Sequence, residues 1–156
     1  MKLIHLFTLF ILLLFGCKKE PSNIFDESQV IDDIETMFNA YHEAVKQNGL
    51  SAEFDYLDNS DDFFWVPPGY TSVIKYDSIK AILLHNDKSI QSISFEFESL
   101  EIFPLSPEIA NYSGIVKGEM IDTANATSNF KIIESGTLIK RTDGWKLLNG
   151  QSRHLD

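Results

Sequence analysis

Apolar residues recur at intervals of three or four over residues 28–48, which is the spacing of one face of an α-helix. Asn48-Gly49 follows and is a typical helix stop. The pattern therefore predicts a first helix that is amphipathic and packs on something apolar. Its predicted buried face consists of Val30, Ile31, Ile34, Met37, Phe38, Tyr41 and Ala44.

Two shorter helices and a short strand are predicted next. Residues 51–57 favour a helical segment with Phe54 and Leu57 turned inward, and residues 77–88 favour a third helix. Between them, residues 63–66 form a compact β run that ends at Pro67-Pro68-Gly69, and residues 70–74 could return as a short strand.

Alternation with a period of two takes over after residue 92 and predicts four long strands. In the first of them the apolar positions change from odd (Phe95, Phe97) to even (Leu100, Ile102), which indicates a β-bulge. Asp143-Gly144 predicts a tight turn between the last two strands. The strands are predicted at residues 94–103, 109–122, 129–141 and 145–153.

Helices first and strands later indicate an α+β domain. Bulges and glycines within strands bend a sheet, so we expect a cone-like, curved antiparallel sheet wrapped around the N-terminal helices, with a pocket inside. Nothing in the sequence indicates a repeat or a second domain.

The N-terminus has the composition of a secretory signal, with Lys2 before an apolar run that ends at Gly16-Cys17. These last residues resemble the bacterial lipoprotein box, which implies a signal peptide over residues 1–16 and a diacylglycerol on Cys17. Residues 17–27 would be the lipidated cysteine and its tether, and residues 28–156 the domain. An uncleaved anchor, or an ordinary signal peptide with an incidental cysteine, is the alternative. The residue after the cysteine is Lys18 rather than aspartate, which resembles lipoproteins that are sorted to the outer membrane. We therefore expect a lipid-anchored protein of the bacterial cell envelope.

Composition excludes some functions. The chain has 13 Lys and Arg against 23 Asp and Glu, a net charge of −10, and such an acidic surface repels nucleic acid. Cys17 is the only cysteine, so an intramolecular disulfide is impossible.

The order of elements and three local motifs resemble the SnoaL-like branch of the nuclear-transport-factor-2-like superfamily. The motifs are the end of the first helix, the short strand before Pro-x-Gly, and the closing hairpin. A lipocalin-like or cystatin-like domain is the rival interpretation. The resemblance rests on Tyr41, Ala44, Asn48 and Gly49, on residues 67–69, and on Gly136, Thr137, Asp143, Gly144, Trp145, Lys146 and residues 149–152.

The resemblance implies a pocket but no single activity, because the superfamily includes isomerases, dehydratases, cyclases and binding modules. In its isomerases a base stands just before the Pro-x-Gly turn, where this chain has Val66. Many SnoaL-like relatives carry a histidine where this chain has Gln151, which cannot act as a base. We therefore name no catalytic residue, and Tyr41, Trp65, Tyr70 and Gln151 are the predicted pocket residues.

Charged side chains give little further support for catalysis. Glu119, Asp122 and Glu134 lie on predicted strands, where one could face inward with a raised pKa, but outward faces are expected. His42 and His85 are expected on solvated helix flanks, and no pair of histidines has metal-binding spacing, so we expect no metal site and no cofactor.

The sequence therefore favours a lipid-anchored domain that binds a small apolar ligand or a partner protein without catalysis. The alternative is a cyclase, isomerase or dehydratase with an atypical acid–base pair. A homodimer is a further expectation from the resemblance.

Overall fold

The computed structural model describes residues 25–155. The predicted signal peptide, Cys17 and most of the tether lie outside the described residues. None of the described helices is both long enough and apolar enough to span a membrane. The elements are α1 (Glu27–Asn48), a 3-10 helix (Leu50–Asp55), β1 (Phe64–Val66), α2 (Tyr76–Asp87), β2 (Ile90–Pro104), β3 (Ile109–Asp122), β4 (Thr127–Arg141) and β5 (Gly144–His154).

A capping side chain and a glycine set the two ends of helix α1. The Asp26 carboxylate caps its first turn by accepting hydrogen bonds from the backbone amides of Ser28 and Gln29. Gly49 ends the helix at a φ of 81°, a left-handed value that favours glycine. The buried face packs against β2 and consists of Val30, Ile34, Met37, Phe38, Tyr41 and Val45.

The five strands form one sheet in the order β1-β5-β4-β3-β2. The four long strands pair antiparallel, as predicted. Strand β1 pairs in parallel with β5, so the sheet is mixed and the prediction of a purely antiparallel sheet was incomplete. Residues 70–74 do not form a strand, because only a single bridge joins Trp65 to Ile74.

Apart from a register shift at the start of β2, between Ile90 and Ser92, two bulges bend the sheet. The first is a register shift between Phe97 and Ser99 in β2, which confirms the predicted change of phase. The second lies in β5, where Leu147 pairs with Leu138 and Asn149 pairs with Thr137, so that Leu148 has no partner. Because one unpaired residue inverts the alternation of a strand, Trp145 and Leu147 before it and Ser152 and His154 after it face the same side.

Aromatic side chains fill part of the core between α1 and the sheet. Phe38 of α1 lies 5.0 Å, ring centre to ring centre, from both Phe97 of β2 and Tyr112 of β3. These edge-on and tilted contacts are favourable arrangements for aromatic rings. On β5, Gly150 leaves room for the Trp65 ring, because a Cβ there would lie 2.5 Å from it.

Candidate active site

A cavity of about 390 Å³ lies between α1, the 3-10 helix, α2 and the concave face of the sheet. Its wall is mainly aliphatic and aromatic, which is typical of small-molecule sites. The polar side chains in this wall are few, and two of them are the carboxyl groups of Glu53 and Glu134.

Glu53 reaches the cavity from the 3-10 helix. Such a helix has three residues per turn, so Glu53 shares the inward face of Leu50. Its carboxyl group interacts with the hydroxyl of Tyr41 on α1. Burial is the main reason that the pKa of Glu53 is raised to about 7; the Tyr41 hydrogen bond opposes this effect, and the nearby charge of Glu134 adds to it.

Glu134 reaches the same cavity from the middle of β4. The Tyr112 hydroxyl, buried at the base of the cone, donates a hydrogen bond of 3.2 Å to Glu134 Oε1. Burial raises the pKa of Glu134 to about 7, and the Tyr112 hydrogen bond partly offsets this effect by favouring the ionised form. The side chains of both glutamates are half-buried. Each is open to the cavity on one side and is surrounded by protein atoms on its other sides.

His42 is a third titratable group at the cavity, and the structure corrects the expectation that it is solvated. Its ring lies among aromatic rings, 4.9 Å from Phe95 and 5.1 Å from Phe97 between ring centres. Burial lowers the pKa of His42 to about 4, so the imidazole is neutral near pH 7.

Three of the four predicted pocket residues line the cavity: Tyr41, Trp65 and Tyr70. Gln151 does not, because it is exposed and lines a shallow depression on the other side of the sheet with Phe64 and Val66. The bulge at Leu148 explains the error. Without that bulge, Gln151 would share the face of Trp145 and Leu147; with it, Ser152 faces inward and accepts a 3.4 Å hydrogen bond from Trp65 Nε1.

Neither glutamate is among the pocket residues that the sequence predicted. For Glu53 the relevant signal was its spacing of three residues from Leu50, which a 3-10 helix places on one face. Phe54, predicted inward, instead lies beneath the Lys80 ammonium group on the outer side. Glu134 and Glu119 were both expected to point outward. Glu119 is exposed as expected, but Glu134 faces the cavity.

The cavity wall contains neither lysine nor arginine. Glu53 and Glu134 also form no ion pair with any residue in the range 25–155. Over the same range, no three His, Cys, Asp or Glu side chains are grouped as metal ligands. Within the described part of the chain, the site thus consists of two carboxyl groups, each beside a tyrosine hydroxyl.

No protein-family model matches the sequence, and no curated protein is significantly similar to it. Solved structures are similar in fold. A nuclear-transport-factor-2-like superfamily protein from Salmonella enterica serovar Typhimurium matches with a TM-score of 0.72 at 12% identity, over 84% of this chain and 94% of that one.

Two putative dehydratases match as well. A scytalone dehydratase from Novosphingobium aromaticivorans has a TM-score of 0.73 at 16% identity, over 83% of this chain and 87% of that one. The second, a dehydratase of the nuclear-transport-factor-2-like family from Streptomyces avermitilis, has a TM-score of 0.68 at 12% identity, over 84% of this chain and 99% of that one. The chain therefore has the nuclear-transport-factor-2-like fold that its sequence predicted.

Proposed function

We propose that this domain binds a small, largely apolar molecule in its cavity and catalyses proton transfer on it. Glu53 and Glu134 exchange the protons, and Tyr41 and Tyr112 orient them. The reaction class is an isomerisation or a dehydration. The observation that carries the proposal is the pair of carboxyl groups that face one apolar cavity, each beside a tyrosine hydroxyl.

The chemistry of such a pair supports the proposal. A carboxyl group with a pKa of about 7 is present in both protonation states near neutral pH, so it can accept a proton or donate one. The charge of one carboxylate raises the pKa of Glu53, which favours a state in which one group is ionised and the other protonated. One glutamate would then act as base while the other acts as acid.

The similar solved structures lend limited support. Two of them are putative dehydratases, and a dehydration requires the same pair of functions: removal of a proton and protonation of a leaving hydroxyl. At these identities the likeness concerns the fold, so the assignment to this chain depends on Glu53 and Glu134 themselves.

Binding without catalysis is the second candidate. It is favoured by Val66, which stands where superfamily isomerases carry their base, and by Gln151, which lies outside the cavity. In that case the two glutamates would serve only as hydrogen-bonding groups for the ligand.

Deuterium exchange distinguishes these candidates. β-Tetralone, a small apolar ketone with acidic hydrogens next to its carbonyl, would be incubated with the protein in deuterated buffer and followed by NMR. We expect the wild type to accelerate exchange and the Glu53→Gln/Glu134→Gln double variant to lose the acceleration. Glu119→Gln, an exposed change of the same chemistry, is the matched control. Equal rates for wild type and double variant would favour binding without catalysis.

For the N-terminus we propose lipidation at Cys17 and a location in the bacterial cell envelope, in the outer membrane. The support is the signal-like residues 1–16 and the lipoprotein-like box before Cys17. A Cys17→Ala variant should leave the membrane fraction and lose labelling by a metabolic fatty-acid probe. If both persist in the variant, the anchor is not at Cys17.

A further inference from the structure

The cavity contains acidic groups without a basic partner. Glu53 and Glu134 face it, and among its lining residues there is no lysine or arginine. Carboxylates buried in proteins are ordinarily paired with a cation or hydrogen-bonded donors, because an unpaired charge is costly to desolvate. Here each carboxyl group has one tyrosine hydroxyl as its identified partner, which leaves the negative charge uncompensated.

The groups that face the two carboxyl groups from the surrounding elements add no fixed positive charge. Helix α1 contributes Tyr41 and His42, and the imidazole is neutral because burial lowers its pKa to about 4. Strand β3 contributes Tyr112, and Asp87 at the end of α2 adds further negative potential at Glu53. Strand β5 contributes His154, which is exposed at the mouth of the cavity.

Aromatic rings occupy much of the remaining wall. Tyr41, Phe63, Trp65, Phe95 and Phe130 line the cavity, and the exposed Tyr70 lies at its rim. The faces of such rings attract cations, most strongly where water is excluded. Carboxylates and ring faces together are the chemistry that recognises an organic ammonium group.

We propose that the ligand of this cavity is a small apolar molecule that carries a protonated amine, bound by the carboxylates of Glu53 and Glu134 and by the surrounding aromatic rings. This inference deepens the proposed function, because it concerns the same cavity and names the class of molecule. It requires only binding, so it can be tested without a reaction.

The proposal predicts the sign of a pH effect. An ammonium group binds ionised carboxylates, and the ionised fraction of each glutamate rises through its pKa of about 7. Amine affinity should therefore increase as pH rises, by roughly tenfold or more between about pH 5.5 and about pH 8.5. A neutral ligand that accepts hydrogen bonds from protonated glutamates would show the opposite trend. His154 also lies at the mouth of the cavity, so a His154→Gln variant is needed to separate its contribution from that of the glutamates.

The experiment compares two amines, phenethylamine and tryptamine, with the alcohols of the same shape, phenethyl alcohol and tryptophol. Calorimetric titration of the domain would give each affinity at both pH values. We expect each amine to bind at least about tenfold more tightly than its alcohol at high pH, because carboxylates and ring faces attract a cation most strongly where water is excluded. Either Glu53→Gln or Glu134→Gln should remove most of that preference. His154→Gln and the exposed Glu119→Gln should retain both the preference and the pH dependence.

Amines that bind no better than their alcohols, or whose affinity falls with rising pH, would overturn the proposal. So would a preference that survives in the Glu53→Gln/Glu134→Gln double variant, or one whose pH dependence disappears in His154→Gln. The ketone exchange assay gives a separate result. Exchange without amine preference removes this inference and keeps the proposed function, whereas amine binding without exchange keeps the ligand class and removes the catalysis.

Discussion

Two regions of the described structure contain carboxyl groups that are at least partly buried. The regions differ in whether a positively charged side chain neutralises the carboxylate. Asp58, which is 4% exposed, receives two hydrogen bonds from the Arg141 guanidinium group, at 2.8 and 3.0 Å, and one from the Ser60 hydroxyl. These partners hold the pKa of Asp58 below its usual value. Glu53 and Glu134 face an apolar cavity with a tyrosine each, and burial raises the pKa of both to about 7.

The difference shows that burial alone does not make a carboxyl group a candidate for chemistry. With its charge compensated, Asp58 stays ionised at neutral pH and ties the segment after the 3-10 helix to the end of β4. The glutamates lack that compensation and remain able to change protonation state. Each prediction below tests one side of this contrast.

The largest expected effect comes from removing both uncompensated groups. In Glu53→Gln/Glu134→Gln we expect the free energy of unfolding at about pH 8.5 to exceed that of the wild type by roughly 2–4 kcal/mol. A shift from 4.5 to about 7 sets an upper limit of about 3 kcal/mol per group, and water in the cavity reduces it. Urea denaturation at about pH 5 and pH 8.5 measures the difference.

The sign follows from proton binding. Between about pH 4.5 and pH 7 the folded protein holds protons on these glutamates that the unfolded chain has released, so wild-type stability falls as pH rises. His42 acts in the opposite direction between about pH 4 and pH 6.5, because its pKa is lowered, and comparison with the double variant cancels that contribution. A double variant that is less stable than the wild type at high pH would contradict the prediction.

Removing the charge of Asp58 should have the opposite sign. Asp58→Asn keeps the shape of the side chain but loses the ionic hydrogen bonds to Arg141, so we expect a loss of about 1–2 kcal/mol near pH 7. The pKa of Asp58 is lowered, so its contribution is present above the unfolded value of 3.8 and is lost as pH falls through the folded pKa. Denaturation from about pH 7 down to about pH 3 should show the two curves converging. Asp61→Asn, an exposed neighbour, is the control.

A smaller effect is expected from the hydroxyl that tunes Glu134. Tyr112→Phe removes the donor that favours the ionised carboxylate, so the pKa of Glu134 should rise further. The cost in stability should be about 1 kcal/mol, because the lost hydrogen bond is partly exposed to the cavity. Carbon-detected NMR titration of the glutamate carboxyl groups measures the shift, with Tyr70→Phe at the exposed rim as the matched control. An unchanged or lowered pKa would mean that Tyr112 does not act on Glu134 in this way.

The smallest effect is expected at Gln151. Because this side chain is exposed on the far side of the sheet, Gln151→Ala should change stability by less than about 0.5 kcal/mol and leave amine binding unchanged. Ser152→Val, one residue later and at the cavity, should alter binding because it replaces the hydroxyl beside Trp65. A loss of binding in Gln151→Ala would show that the β5 register is wrong.

What the sequence by itself determined is the set of elements and their order. Helical periodicity identified α1, alternation identified the four long strands, and Asp143-Gly144 identified the closing hairpin. The change of phase between Phe97 and Leu100 predicted the β2 bulge. These features depend on neighbours within a few residues, which is why local patterns contain them.

Only the tertiary structure decided the site. The unpaired Leu148 turned Gln151 outward and Ser152 inward, and it depends on how β5 aligns with β4. Glu53 and Glu134 are 81 residues apart in the chain and line one cavity only because folding brings the 3-10 helix and β4 to its wall. A carboxyl group's pKa depends on which atoms surround it after folding, so sequence could name acidic residues but could not separate the paired Asp58 from the two glutamates of the cavity.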